Sequence, residues 1–543
     1  MSDLLSGVPE PLLVLIVSLV RDVRQKAGEE EGRPDYSEVM RGIGSASKVL
    51  RRLVKEALTR DELAWLYVRG ACSAAECLSV FPRARSIGVK GPARAWDLAA
   101  VLASRSVERL ELQLASRKSS LRLSRKRKLS ASWHRYSGLC QLVGLRALYL
   151  RGCNRLRDLR PFSAILGLRT LHISNGERLR SVRPLAALVG LDCLCLGNCH
   201  RLRDVRPLSS LVGLRMLYLL HCYELSDIEP LSALAGLRTL DLSSCGQVRD
   251  ARPLAGLTNL RTLHLSCCQV GDLRPLSALA CLRSFDASNS SHLSDVQTLA
   301  SFLDLQTLTL RSCRALSDLL PLAGLAALRS LYLTGCGQLS NLGPVWYLRS
   351  LRTLHLGHCA RVVDIWPLAG LSQLQTLLLS NCRSLVDVSA LSALGALVTL
   401  DLSSCAQLSE VGALSALRAL RTLHLSHCGL LTDVRPLSTL VGLRTLHLSG
   451  CKQLSAFQPL SALTGLVSLE LSSCRLLSDV GMLSALTGLR SLDLSFCEQL
   501  TGVGPLSALT GLRCLNVAFC RLLGEGAAAA ASAPSALLGL RTT

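Results

Sequence analysis

The stretch LRTLHLSHCGLLTDVRPLSTLVG, residues 420–442, brings His424, His427 and Cys428 within five residues, with Asp433 close behind. Imidazoles, a thiolate and a carboxylate are the donor set of a zinc centre. A thiol beside an imidazole is also the pairing of a nucleophile with its base. Both chemistries need a constellation that occurs once, so recurrence of the stretch decides between chemistry and scaffold.

The stretch recurs. Aligned on the first Leu of LRTLHL, copies begin at residues 145, 168, 191, 214, 237, 260, 282, 305, 328, 351, 374, 397, 420, 443, 466, 489 and 512. These seventeen copies step by 23 residues, with a single 22-residue step after Leu260. The pieces RSIGV near Ile87 and VERLELQL near Leu110 predict irregular earlier copies within residues 81–144. LxxLxL alternates with period two, so its last two leucines face a core and the residue between them faces out. A turn follows the Cys, and DVRPLSAL sets a Pro that stops further pairing ahead of a short helical or 3-10 turn. One such unit cannot bury its own apolar face; stacked units share a continuous core beneath one parallel sheet.

Recurrence reassigns the conspicuous side chains. A Cys stands eight residues after the first Leu in every copy but two, where Gly176 and Ser290 replace it, and Cys428 is one of the series. A thiol is a small hydrophobe with a weak donor, which suits a buried position. Asp433 is one of eleven Asp in one slot, from Asp158 to Asp479, where short carboxylates form turns by accepting local N–H groups. Catalysis needs two carboxylates made different by their surroundings, which such periodicity argues against. His424 and His447 fall on neighbouring copies and within reach of each other, but no further donor completes a tetrahedron, so no metal and no cofactor is expected. No nucleophile–base arrangement, phosphate loop or dinucleotide motif appears, so the chain reads as non-enzymatic.

Composition agrees with a repeat array. Apolar residues make up 49% of the 543, yet no run reaches the roughly 18 residues of a membrane helix. The longest, PLLVLIVSLV from Pro11 to Val20, follows Asp3 and Glu10 without a Lys or Arg, unlike a signal peptide. These features predict an intracellular protein, cytoplasmic or nuclear, with no membrane partner. The 23 cysteines are then thiols, and their odd number already precludes complete pairing.

The repeats resemble the leucine-rich repeat family, specifically its internalin-like short repeats, in which LxxLxLxxN precedes a DxxPL segment. Cys in the Asn position and the SDVRPLSAL run look most like trypanosomatid leucine-rich repeat proteins. The resemblance covers residues 145–525 and implies an α/β repeat fold, a solenoid with a parallel concave sheet and short helical or 3-10 turns on its convex side. It also implies that the Cys side chain bonds neighbouring turn backbone from within.

One outward column varies while the scaffold does not. At mid-strand it reads Tyr149, His172, Cys195, Tyr218, Asp241, His264, Asp286, Thr309, Tyr332, His355, Leu378, Asp401, His424, His447, Glu470, Asp493 and Asn516, between flanks that are mostly Thr or Ser. Tyr and His concentrate here in a chain with 4% aromatics, which points to partner contact. Twelve copies place an Arg just after the first Leu, among them Arg146, Arg169, Arg215, Arg238, Arg261, Arg352, Arg421 and Arg444. This basic stripe, in a chain of net charge +22, suits a protein partner with an acidic surface. The run RKSSLRLSRKRK, residues 117–128, supports an alternative reading as a nuclear or nucleic-acid-associated protein, although stacking aromatics are scarce.

Residues 1–80 do not repeat and read as helical, with Leu12, Leu15, Ile16 and Leu19 at helical spacing. TRDE, Thr59–Glu62, is a capping-box start for a third helix holding Leu63, Trp65 and Leu66. VPEPLLVLIVSLV is similar to the opening of an F-box, through Pro9, Leu12, Leu13 and Ile16. SASKVLRRLVKEAL looks like the closing helix of that family, with Leu50 where Trp or Phe is usual. This resemblance implies docking to the Skp1-like adaptor of a cullin ubiquitin ligase, with the repeats as substrate receptor; the alternative is a helical cap over the first repeat. The Ala-rich residues 526–543 follow the array. The expected function is a non-enzymatic protein–protein interaction scaffold.

Overall fold

The computed structural model describes the strands Leu66–Arg69, Ser86–Gly91 and Arg109–Leu114, then residues 144–523 apart from 155, 292 and 294. The chain divides into two units, residues 1–248 and 249–543. In the first, eight described strands from Leu66–Arg69 to Thr239–Asp241 each pair in parallel with the next in sequence. In the second, twelve described strands do the same from Thr262–His264 to Cys514–Asn516.

Residues 420–442 show how one rung forms. Thr422–His424 is a three-residue strand whose neighbours Leu423 and Leu425 are fully buried. The chain then leaves the sheet at His427, which takes the left-handed conformation with φ 61° while its N–H donates to the carbonyl of Ser449 on the next rung at 2.6 Å. A residue of every regular rung occupies this conformation, mostly Asn, Ser, His or Gly, the types for which it costs least. Asp433 next accepts the N–H of Arg435 at 2.8 Å. Pro436, with preset φ and no N–H to leave unpaired, opens the 3-10 turn Arg435–Thr439. Leu437 donates to Val434 at 3.0 Å and Leu440 to Leu437 at 2.9 Å, so the short return segment satisfies its own backbone. Both leucines are buried, and burial of each contributes roughly 2 kcal/mol.

The Asp slot does the same work throughout. All eleven carboxylates, from Asp158 to Asp479, accept the N–H two residues on at 2.8–2.9 Å, and Asn341 substitutes in its own copy. Five of them also pair with the Arg at that position, as in Asp433–Arg435 at 2.6 Å.

The cysteines point inward. Cys428, Cys405 and Cys382 are fully buried, and each thiol donates to a strand carbonyl of the preceding rung, Leu402, Leu379 and Leu356, at 3.3 Å. Each of these carbonyls also accepts the N–H of the Cys three residues on in its own rung at 3.2–3.3 Å, so the thiol of the next rung supplies its second hydrogen bond. Where the series breaks, packing compensates. Phe285 replaces a core Leu in the copy bearing Ser290, stacks edge-on against Phe302 at 5.9 Å, and stands two residues from the smaller Ala287.

One expectation is corrected. Leu66, assigned to a third helix started by Thr59–Glu62, belongs to the strand Leu66–Arg69, which pairs with Ser86–Gly91. A parallel neighbour offers LYVR a full row of backbone hydrogen bonds, and that pairing overrides the local capping signal. The other helices expected in residues 1–58 lie outside the described residues, as do residues 526–543.

Candidate partner-binding face

Strand register turns the varying positions into a physical column. In the first unit Tyr149, His172, Cys195, Tyr218 and Asp241 are successive register partners. In the second the column runs without a slip from His264 to Asn516. Inward apolar residues on either side of the column, mostly leucines, fix the strands, because a one-residue slip would expose them.

Neighbours along the column touch. Tyr149 lies 6.0 Å from His172, whose Nε2 is 3.8 Å from the Cys195 thiol. Tyr332 meets His355 edge-on at 4.6 Å, and the Arg311 guanidinium stacks over Tyr332 at 4.8 Å. His424 and His447 approach with Nδ1–Nδ1 2.8 Å, and Glu470 stands 3.4 Å from the same His447 nitrogen. One of the two imidazoles must donate and the other accept, so they hold opposite tautomers when both are neutral. His427, exposed at the turn, does not join them.

The column acids are already anchored. Asp241, Asp286, Asp401 and Asp493 each accept the N–H of the Ser two residues on at 2.8 Å. Asp493 also takes bonds from the Ser495 hydroxyl and from Asn516. These outward carboxylates thus also form the turn that leaves the strand.

All eight arginines of the basic stripe are exposed. Arg169 donates to the carbonyl of Gly190 at 3.2 Å and Arg421 to that of Gly442 at 2.6 Å. Arg215 pairs with Asp192 at 3.2 Å. Exposed pairs of this kind contribute little stability, which leaves the stripe as a source of long-range field. The adaptor-contact residues Pro9, Leu12, Leu13, Ile16 and Leu50, and the basic run 117–128, lie outside the described residues.

Two features escaped the repeat reading. Arg311, like Arg151, occupies a position that is hydroxyl-bearing in most other rungs, and attention to that departure in the sequence would have found it. On the 3-10 side, Trp346 and Trp366 pack at 5.5 Å with their rings tilted by 45°, with Arg349 over Trp346 at 4.6 Å and bonded to the Gly370 carbonyl at 2.7 Å. Gly370 makes this possible, since a Cβ there would meet the indole at 2.9 Å.

Among the described residues, no three His, Cys, Asp or Glu side chains converge to hold a metal ion, and no helix is long and apolar enough to cross a membrane. Burial pushes the thiols up, to about 11 for Cys451 and about 12 for Cys405, which keeps them protonated and poorly nucleophilic.

Histidine titration gives the surface a testable signature. Burial, reinforced by Arg311, holds the His355 pKa below its ordinary value. Burial also depresses that of His447, with Glu470 opposing and His424 assisting. Depressed imidazoles bind protons more weakly folded than unfolded, so stability is full above the unfolded value near 6.5 and falls as pH drops below it. Asp250, Asp272, Asp387 and Asp433 are held low chiefly by hydrogen bonds at their turns, and their contribution is lost in a later step below about pH 4. Urea midpoints measured from pH 8 to 3 should therefore fall in two stages. His355→Gln with His447→Gln should flatten the first stage only.

The fold is that of a leucine-rich repeat solenoid. The family model described as "Leucine Rich repeats (2 copies)" matches residues 235–280 and 418–462. A leucine-rich repeat protein of Leptospira interrogans is similar over 77% of this chain and 98% of its own, at 20% identity and TM-score 0.58. TLR13, solved as the TLR13–ssRNA13 complex, covers 84% of this chain with 78% of its own, at 18% identity and TM-score 0.54. An internalin of Listeria monocytogenes gives 23% identity and TM-score 0.38 over 67% of this chain and 84% of its own. No curated protein matches the sequence.

Proposed function

We propose that the protein is a protein–protein interaction module that contacts its partner through the mid-strand column of its concave face. The observation that carries this reading is the column itself. Backbone and register repeat without variation, while the outward side chain changes from Tyr to His to Leu to Asp between adjacent strands. Tyr332, stacked under Arg311 and against His355, has the composition of an interface hot spot, and its truncation is expected to cost about 2 kcal/mol, roughly thirtyfold in affinity.

Affinity capture from extracts tests this with three baits: the full chain, a Tyr332→Ala/His355→Ala chain and a Trp366→Ala chain altered on the 3-10 side. A partner retained by the first and third and lost from the second is the expected result. Equal recovery on all three would sink the reading, and capture abolished by nuclease would replace the protein partner with nucleic acid, as in the TLR13–ssRNA13 complex. The F-box resemblance adds adaptor docking to this proposal. Its expected result is recovery of a Skp1-type adaptor by the full chain and loss of that adaptor on deletion of residues 1–58.

A further inference from the structure

The first unit carries a charged surface that the column does not use. Ten, twelve and fifteen residues after the first Leu of a rung, the chain runs along the turn that follows the strand. In the rungs starting at Leu145, Leu168 and Leu191, all nine of these positions are Arg. Apart from Arg155, which lies outside the described residues, every one is exposed. The nine rungs from Leu305 to Leu489 carry Arg there only at 361 and 435, and mostly Ser, Thr, Gln or Gly otherwise. The solenoid itself therefore does not require these arginines. The carboxylates on the turn side of the three rungs do not cancel their charge. Asp158 and Asp204 accept the turn N–H and the guanidinium of Arg160 and Arg206. The central rung has Ser181 in the Asp slot, and its hydroxyl accepts the Arg183 N–H at 3.2 Å, so the turn is kept without a carboxylate beside the guanidinium. Among the described residues, Arg157, Arg178, Arg180, Arg183 and Arg201 form no ion pair, and Glu177 is the one carboxylate of this face with no such commitment.

Flat rings border the arginines. On the rung from Leu214 the three positions become Glu224, Ser226 and Glu229, and Glu224 reaches back to Arg203 at 2.6 Å, so the basic surface ends there. At that boundary Tyr223, half exposed, stacks on His200 at 4.9 Å with the planes 28° apart. Its hydroxyl lies 3.3 Å from His221 Nδ1. His200 directly precedes Arg201, and Asn198 just before it donates to the Asn175 amide of the neighbouring rung at 2.9 Å. A ring already held by two imidazoles loses little freedom when a flat ligand stacks on it. Guanidinium forks match phosphate, and an unpaired base stacks on an exposed aromatic ring. An acidic peptide would use the arginines but not the ring, and a duplex keeps its bases stacked within itself.

We propose that this turn-side surface of the first unit binds single-stranded nucleic acid, with phosphates on the arginines around Arg180 and Arg183 and a base on Tyr223. It is a second binding site, separate from the column and from the protein partner assigned to it.

Fluorescence anisotropy of labelled single-stranded dodecanucleotides on the full chain tests it, with RNA and DNA of one mixed sequence as the two arms. Binding of either strand supports the site, and the tighter arm names the sugar. The logarithm of the binding constant should fall against that of salt with a slope of about −3, the signature of about four phosphates. Arg180→Ser/Arg183→Gln installs the pair that Ser455 and Gln458 form in the second unit. It should weaken binding at least about tenfold and flatten the slope by about 1. Arg178→Gln/Arg201→Gln is a second charge variant with the same expectation. Tyr223→Ala should weaken binding about tenfold with the slope unchanged, and Tyr332→Ala should alter neither. Binding that survives both charge variants, or no binding by the parent, would overturn the proposal. So would polyglutamate competing as well as unlabelled strand while Tyr223→Ala binds like the parent, which would make the surface a site for an acidic protein.

Discussion

Cys405→Asp should destabilise the second unit by at least about 4 kcal/mol, whereas Cys405→Ser should cost only about 1 kcal/mol. The Cys405 side chain is fully buried and its thiol donates to the Leu379 carbonyl at 3.3 Å. The rungs on either side repeat the arrangement with Cys382 and Cys428. A hydroxyl keeps the donor. A carboxylate brings acceptors to a place where an acceptor already waits, and its charge has no partner within the apolar layer, so it is either desolvated at high cost or forced to take a proton. The ordering of the two substitutions distinguishes a hydrogen-bonded ladder from simple filling, because Asp and Ser are both polar and neither is much larger than Cys. Urea unfolding at pH 7 measures it. Equal midpoints for the two variants would show that the thiol position is not sealed.

The second large effect separates stability from recognition on a single strand. Leu354 faces the core with no exposure and lies between Leu331 and Leu377 of the adjoining strands. Leu354→Ala removes buried methyl groups from a position that cannot collapse without breaking register, and should cost about 3–4 kcal/mol. Each repeat contacts only its neighbours. Amide exchange should therefore quicken first in Ser330–Tyr332, Thr353–His355 and Thr376–Leu378, and last in strands such as Thr445–His447. His355→Ala, one residue along and on the other face, should change stability by only about 0.5 kcal/mol, while weakening partner binding. A strand on which both changes had the same effect on unfolding would contradict the inward–outward division.

Much of this was readable in the sequence because repetition averages out local ambiguity. One LxxLxL segment is a weak strand signal, but seventeen in register leave little freedom for the inward leucines, the thiols and the Asp turns. The same averaging hid what occurs once. Arg311 stands where most rungs carry a hydroxyl, a departure shared with Arg151, and its stacking on Tyr332 depends on a neighbour 21 residues away. The Trp346 platform needs both an indole and the absent side chain of Gly370 on the next rung. The strand at Leu66–Arg69 was missed because local capping chemistry is visible in four residues, while the Ser86–Gly91 strand that captures it is not. The column itself was legible as a set of positions. That Asp401 and Asp493 also hold their own turns was not, since the accepting geometry depends on how the strand exits the sheet.

The central claim is that a partner sits on the concave column rather than on the 3-10 side. Photo-crosslinking tests it most directly, with a benzophenone side chain placed at position 332 in one chain and at position 366 in another, both exposed to the same extract. The column reading predicts a discrete adduct from position 332 that is competed by unmodified chain and absent from position 366. The same adduct from both positions, or one from position 366 alone, would contradict it.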